Sequence, residues 1–295
     1  MTPLIEEIER HERRFYVNDR LMAARCWHDC NKPPLLALHG WLDNAATFDL
    51  LAPQLNDYYI VALDFAGHGY SGHRPKGVRY HLVDHIDDVV AVLKQLGWTK
   101  FSLMGHSMGA GIAALLAAAL PEAIEKLVMI EGLGPYTGKP DDAAKHLRVA
   151  LDEWQSFDDA VRVIPSFDIA VKARMNGLLP VGEQAAQLLC ARGTKEVPDG
   201  LIWLTDKRLR LSSPTRFYEE QVCAFLAAIQ APTLLIMAKK TLPFNKEDYQ
   251  KRVAAHQYLT RVTLEGGHHL HLDDNVEEVA STVRGFLGEP QQVVV

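Results

Sequence analysis

Residues 103–120 read LMGHSMGAGIAALLAAAL. The stretch joins the end of an apolar run, Phe101 to Met104, to an alanine-leucine segment that Pro121 stops. Between them lies Gly105-His106-Ser107-Met108-Gly109, a serine set between two glycines. The G-x-S-x-G pattern is common by chance alone, and its weight comes from a strand before it and a helix after it. A serine on such a corner is held in a strained backbone that lifts its hydroxyl clear of a sheet. The positions two before and two after must lack bulk so that strand and helix can approach. The helix N-terminus adds partial positive charge where an oxyanion would form. The plainer alternative is a serine capping a buried helix, which would need no partners elsewhere. A nucleophile needs a base, an acid to orient it and donors for the oxyanion.

Outward from this corner, short apolar runs alternate with helical periodicity, the pattern of a mostly parallel sheet covered by helices. Phe15–Val17 and Leu21–Trp27 read as an opening hairpin with Asn18-Asp19 near its turn. Leu35–Leu38 and Tyr59–Leu63 read as strands, and Ala45–Leu55 between them as a helix capped by Asp43 or Asn44. Leu82, Val83, Ile86, Val89, Val90, Leu93 and Leu96 recur at helical spacing up to Gly97. Leu127–Ile130 reads as a further strand. The rhythm changes from about Leu133 to Thr215, where amphipathic helical pieces carry Trp154, Phe157, Phe167 and Trp203, as lid lining or as plain core. After Pro232 the alternation returns. Thr233–Met237 and Arg261–Leu264 read as strands, Lys246–His256 as a helix, and Asp274–Phe286 as a closing helix with Asp274 and Glu277 spaced as a capping box. The expected organisation is a core of 1–132 and 216–295 interrupted by a helical cap, 133–215.

The segment LLALHGWLDN, residues 35–44, offers an apolar strand followed by His39-Gly40-Trp41. The Trp41 amide is the expected second oxyanion donor, beside the Met108 amide that follows the nucleophile. The segment RVTLEGGHHLHLDD, residues 261–274, places His268 directly after a flexible glycine pair at a strand end. It is the expected base, with His269 and His271 as competitors. A metal site on these three histidines lacks a spaced carboxylate or thiol set. His39, His68 and His106, beside glycines in turns, read as structural hydrogen bonders. Leu42 and Phe48 join Trp41 and Met108 as an expected apolar substrate pocket. Asp64 reads as a turn acceptor rather than a catalytic group.

The chain of 295 residues, 48% apolar, is long enough for a large core. A net charge of −6 with no basic run argues against nucleic acid as a partner. The charged N-terminus lacks an apolar stretch, and Ile112–Leu120 is too short to span a bilayer, so a cytoplasmic protein without a membrane partner is expected. Cys26, Cys30, Cys190 and Cys223 do not form a disulfide framework, and His28 between the first two lacks a second ligand pair for a metal.

Together LHGWLDN, LDFAGHGYSG, GHSMG and EGGHHLHL resemble the α/β-hydrolase superfamily, and within it the serine hydrolase-like branch of esterase-type enzymes. The likeness runs from Leu35 to Phe286, broken by a divergent middle similar to the family's helical cap. It implies the α/β-hydrolase fold. It also implies a triad acid, usually an Asp just after the strand that follows the cap. Here that strand is PTLLIM, followed by AKKTLPF, and Thr241 stands at the expected position. Glu131, closing the strand KLVMIE, is the replacement, since some superfamily members carry the acid at this strand end. Glu247 and Asp248 are the alternatives. The implied activity is hydrolysis of a carboxylic ester of a small, largely apolar substrate, with no metal or organic cofactor. Thioesters, lactones, amides and C–C bonds suit the same triad. A ligand sensor with slow turnover, or a scaffold that has lost its acid, are the readings outside catalysis.

Overall fold

The computed structural model describes residues 10–240 and 245–288. Its frame is an eight-stranded sheet. The hairpin of β1 (Arg10–Val17) and β2 (Arg20–Trp27) turns on Asn18 and Asp19, both at positive φ, as a two-residue turn requires. Strands β3 (Pro34–Leu38), β4 (Tyr59–Leu63), β5 (Phe101–His106), β6 (Ile124–Ile130), β9 (Thr233–Ala238) and β10 (Leu259–Leu264) continue the sheet. The order is β1-β2-β4-β3-β5-β6-β9-β10, parallel from β4 onward, with β2 antiparallel to β4.

The period-2 alternation of the strands builds two core layers. Leu36, Leu38, Leu103, Met129 and Leu235 face α1 (Asp84–Leu96), α2 (Met108–Ala119) and α6 (Glu219–Ala228). Leu35, Ala37, Met104, Val128 and Ile236 face α8 (Val276–Gly288). Helix α7 (Lys246–Ala255) lies against the first layer through Tyr249 and Val253. Gly97 ends α1 in the left-handed region. Among the described residues no helix is long and apolar enough to cross a membrane.

Two sequence expectations need correction. Ala45–Leu55 is not one helix but two 3-10 turns, Ala45–Phe48 and Ala52–Gln54. Pro53 has no N–H to offer the Asp49 carbonyl, which ends helical continuity there. Asn44, not Asp43, caps the first turn by accepting from the Ala46 N–H. The Asp274–Glu277 capping box does not form either. Helix α8 begins one residue later than a capping Asp274 requires, with the Val279 N–H on the Asn275 carbonyl. The Asp274 carboxylate instead accepts the Gly267 N–H at 2.7 Å, bracing the loop that carries His268.

Between β6 and α6 the chain forms α3 (Ala143–Gln155), α4 (Phe167–Met175), α5 (Glu183–Gly193) and an antiparallel ribbon of β7 (Thr194–Val197) and β8 (Gly200–Trp203). The ribbon is not legible as strands in the sequence: its residues are mostly half-exposed and too few to show alternation. This segment starts and finishes at one point, where Thr137 bridges Phe217 and the Gly138 N–H reaches the Phe217 carbonyl at 2.9 Å. It has a small apolar cluster of its own, including Ala185, Ala186 and Leu189, into which Leu272 from the loop after β10 inserts.

A buried ion pair ties this segment to the sheet. Arg192 of α5 donates from Nε to both oxygens of Asp64 at 2.9 and 3.1 Å, and from Nη1 to Glu12 at 2.6 Å. Asp64 also accepts the Ala45 and Tyr70 amides, the turn role its position suggests. Arg192→Met leaves the fully buried Asp64 carboxylate without its counter-charge. The expected loss is ~3–5 kcal/mol of unfolding free energy, read as a lower urea midpoint.

Candidate active site

Ser107 stands between β5 and α2 at φ +53°, ψ −115°, a conformation that costs a non-glycine residue ~1–3 kcal/mol. Several contacts hold it there. Its N–H donates to the Ile130 carbonyl at 2.9 Å, and its own carbonyl accepts from the Ala110 and Gly111 amides. The flanking glycines are steric requirements. A β-carbon on Gly105 would lie 2.4 Å from the Gly109 carbonyl oxygen, and one on Gly109 2.1 Å from that of Leu38. The helix therefore starts in direct contact with two strands. The Met108 N–H is the first amide of α2 and has no carbonyl of its own helix to bond.

Glu131 follows β6 directly, at φ +55°, and is almost wholly buried. Its Oε1 accepts the Ala238 N–H at the end of neighbouring β9, at 2.5 Å. Its Oε2 meets His268 Nδ1 at 3.1 Å. A second hold on His268 comes from His106, whose Nε2 donates to the His268 carbonyl at 2.8 Å, with ring centroids 4.8 Å apart. Since His106 precedes Ser107, the imidazole of His268 lies against the residue beside the serine. His268 Nε2, across the ring from the glutamate, is buried with no hydrogen-bond partner among the described residues. No hydrogen bond to the Ser107 hydroxyl satisfies it here, and such bonds commonly tighten only with substrate. Glu247 is exposed and pairs with Lys251 at 2.8 Å, and Asp248 lies beside it at the start of α7. Thr241 lies outside the described residues.

A strand order with one antiparallel member near its start, a serine elbow after the fifth strand and a glutamate-histidine pair at neighbouring strand ends define a known architecture. A family profile described as the alpha/beta hydrolase fold matches residues 33–275.

The chain belongs to the alpha/beta hydrolase fold family.

Its relatives place this hydrolase in the serine hydrolase-like branch. It is 33% identical over 282 residues to a serine hydrolase-like protein of Danio rerio, covering 92% of this chain and 86% of that one. The crystal structure of a hypothetical protein from Pseudomonas aeruginosa PAO1 matches with a TM-score of 0.89 at 42% identity, covering 94% of this chain and 99% of that one. A thioesterase domain from the curacin biosynthetic pathway matches with a TM-score of 0.83 at 25% identity, covering 93% and 99%.

In the hydrolase, the loop after β3 runs past the serine elbow. Trp41 has no acceptor for its main-chain N–H among the described residues, while its indole N–H donates to the Leu209 carbonyl at 2.8 Å. Leu42 is partly exposed at φ +61°. Phe48 corrects the expected pocket. It is wholly buried, packed in the core 5.7 Å from the His271 ring, and offers no accessible surface to a ligand. Every residue of the Ala45–Phe48 turn is buried, and Phe48 joins the core layer that faces α8.

Asp43 and Arg174 are the site residues that sequence reasoning missed. Asp43 is buried, with Oδ2 2.9 Å from His269 Nε2 and Oδ1 accepting from Arg174 Nη2 at 3.0 Å. Burial alone would raise its pKa. The facing His269 ring and the Arg174 guanidinium outweigh that and hold the carboxyl well below its usual range. Asp43, His106 and His269 have donor atoms within 4.8 Å of one another, the carboxylate-histidine set that spacing alone did not reveal. Arg174 contacts both Asp43 and His269, at 3.0 and 3.2 Å, and so puts a fixed positive charge where a cation would sit. The residues present fit an arginine, not a metal ion.

Around this centre burial keeps five histidines neutral. Burial first pushes His39 down to about 4 and His68 to about 3, and it holds His85, His106 and His271 well below their usual range. His39 accepts the Phe65 N–H and faces the Gly40 carbonyl, and His68 accepts the Leu42 N–H, so both are structural bonders. In the unfolded chain these imidazoles titrate near pH 6.5. Below that pH the unfolded state binds protons that the folded state refuses, so stability is full above pH 6.5 and falls as the pH drops. Each such histidine contributes about 1.4 kcal/mol per pH unit, so His39 and His68 alone give a slope of about 3 kcal/mol per unit between pH 6 and 5. Urea midpoints at pH 7 and pH 5 measure it.

Proposed function

We propose that this hydrolase is serine-dependent and cleaves a carboxylic ester of a small, largely apolar substrate through an acyl-enzyme. The observation that carries the reading is the buried Glu131–His268 pair beside a serine on a strained strand-to-helix corner. In the proposed mechanism Ser107 Oγ attacks the ester carbon while His268 Nε2 takes its proton. The carbonyl oxygen becomes an oxyanion held by the Trp41 and Met108 amides, at the positive end of α2. His268 then gives its proton to the leaving alcohol oxygen as the C–O bond breaks. Water, deprotonated by the same nitrogen, attacks the acyl carbon and releases the carboxylic acid and free Ser107. Glu131 keeps the Nδ1–H tautomer and stabilises the imidazolium. No step calls for a metal or an organic cofactor.

On this reading 133–215 caps the cleft, with Leu42 on the acyl side. The partner is a small-molecule ester, with neither nucleic acid nor membrane involved, and the setting is the cytoplasm. Thioester cleavage is the second reading, favoured by likeness to the curacin thioesterase domain. The test is labelling of Ser107 by a fluorophosphonate, with rates for p-nitrophenyl esters from acetyl to lauroyl and for matched thioesters. Labelling together with faster turnover of the shorter oxygen esters is the expected result. A wild-type protein that neither labels nor turns over any acyl substrate sinks the proposal.

A further inference from the structure

Residues 41 to 44 carry one of the two oxyanion donors of the proposed mechanism, and each of them is held by another group. The Trp41 indole donates to the Leu209 carbonyl, and the Leu42 N–H to His68 Nε2 at 3.2 Å. Asp43 meets Arg174 and His269, and the Asn44 side chain donates to the Leu189 carbonyl at 2.9 Å. Leu209, Arg174 and Leu189 all belong to the segment between β6 and α6. The loop needs such holds, because Leu42 occupies the left-handed region and strained backbone persists only where its surroundings over-determine it.

Among the three contacts from that segment, only Arg174 carries charge. It is itself anchored, donating from Nη1 to the Leu179 carbonyl at 2.6 Å. Its Nη2 then reaches Asp43, two residues past Trp41, and lies 3.2 Å from His269, the neighbour of His268. One guanidinium on α4 thus touches both loops that the proposed chemistry uses. We infer that Arg174 is a positioning residue: through Asp43 it keeps the Trp41 amide in donor geometry, so that the oxyanion hole is assembled only while α4 is docked. This inference rests on the serine-hydrolase reading given above.

The charges around Asp43 give the inference a signature that plain packing lacks. Facing it are Arg174 from α4, His106 from the end of β5, His39 and His68 from the strand-end turns, and His269 and His271 from the loop after β10. Without Arg174 the buried Asp43 carboxylate keeps no fixed positive charge in contact, and a lysine at the same position restores one, so rescue by charge separates positioning from packing.

The experiment compares wild type, Arg174→Met and Arg174→Lys in p-nitrophenyl acetate hydrolysis from pH 5.5 to 8.5, with circular dichroism to establish folding. For Arg174→Met, kcat at pH 8 is expected to fall about 100-fold, the scale of a lost oxyanion donor, with KM changed less than about threefold. Arg174→Lys keeps the charge but not the fork that spans Asp43 and Leu179, and should recover most of the lost rate. A folded Arg174→Met with kcat within about threefold of wild type at every pH overturns the inference, as does a loss that lysine does not rescue. If Arg174→Met does not fold, Arg174→Gln, which removes the charge but keeps a hydrogen-bonding end, decides. A lowered kcat at unchanged KM upholds the inference, and an unchanged kcat overturns it. Wild type that resists fluorophosphonate overturns the serine mechanism instead, which keeps the two failures apart.

Discussion

Replacing Ser107 by alanine is expected to lower kcat for a p-nitrophenyl ester by about 10^6-fold, because nucleophile and base act as a unit. Fluorophosphonate labelling should vanish with it. The Met108 and Trp41 amides are main-chain groups and survive the substitution, so KM should move little and a residual rate above that of water should remain. The fold should tolerate the change, since the serine hydroxyl makes no hydrogen bond among the described residues that the variant would forfeit. The strain at φ +53° remains in alanine. Ser107→Gly relieves it and is expected to be more stable than Ser107→Ala by ~1 kcal/mol while equally inactive. A comparison of activity and urea midpoint across the three proteins therefore separates chemistry from conformation. Retained turnover in Ser107→Ala, or labelling at another residue, would remove the nucleophile from the account.

Glu131→Gln is expected to cost about 10^4-fold in kcat with the fold intact. The size of the effect follows from both carboxylate oxygens being in use. Oε1 accepts the Ala238 N–H and Oε2 faces His268 Nδ1. A glutamine has one oxygen for the two positions. If that oxygen stays on Ala238, the amide NH2 turns toward Nδ1 and forces the imidazole proton onto Nε2. That is the wrong tautomer for taking a proton from serine. If the amide flips, its NH2 opposes the Ala238 N–H in a buried place, which costs stability instead. Full activity in Glu131→Gln would discard Glu131 as the acid and return the role to Glu247 or Asp248. Steady-state kinetics with a melting curve for each variant settles which case holds.

The fold is readable largely because its strands are short, apolar and parallel, and because the serine corner fixes what precedes and follows it. Glu131 as a candidate comes from the family resemblance, supported by the four apolar residues before it, and the structure brings its carboxylate to His268. The errors have physical causes. Ala45–Leu55 has helical composition, but Pro53 breaks it, and Phe48, expected in the pocket, is packed in the core. Asp43 looks like a cap in the sequence because its partners, Arg174 and His269, are 131 and 226 residues away. Arg174 itself sits on a short amphipathic helix where an arginine looks like an ordinary solvated charge. Local patterns report secondary structure, and a buried ion pair between distant elements leaves no local pattern.

The bridge between Thr137 and Phe217 carries a consequence for how such enzymes diversify. Because 138–216 departs from and returns to one spot, the whole piece can be traded for a foreign counterpart without altering the register of any strand beneath it. The trade has a compatibility rule, set by two carboxylates that remain in the recipient. Asp43 and Asp64 are both buried, and each is met by an arginine that the transplanted piece must bring with it. A graft lacking either arginine would inherit an unneutralised charge in the interior, whereas one carrying both, with carbonyls to receive the Trp41 indole and the Asn44 amide, would meet that rule.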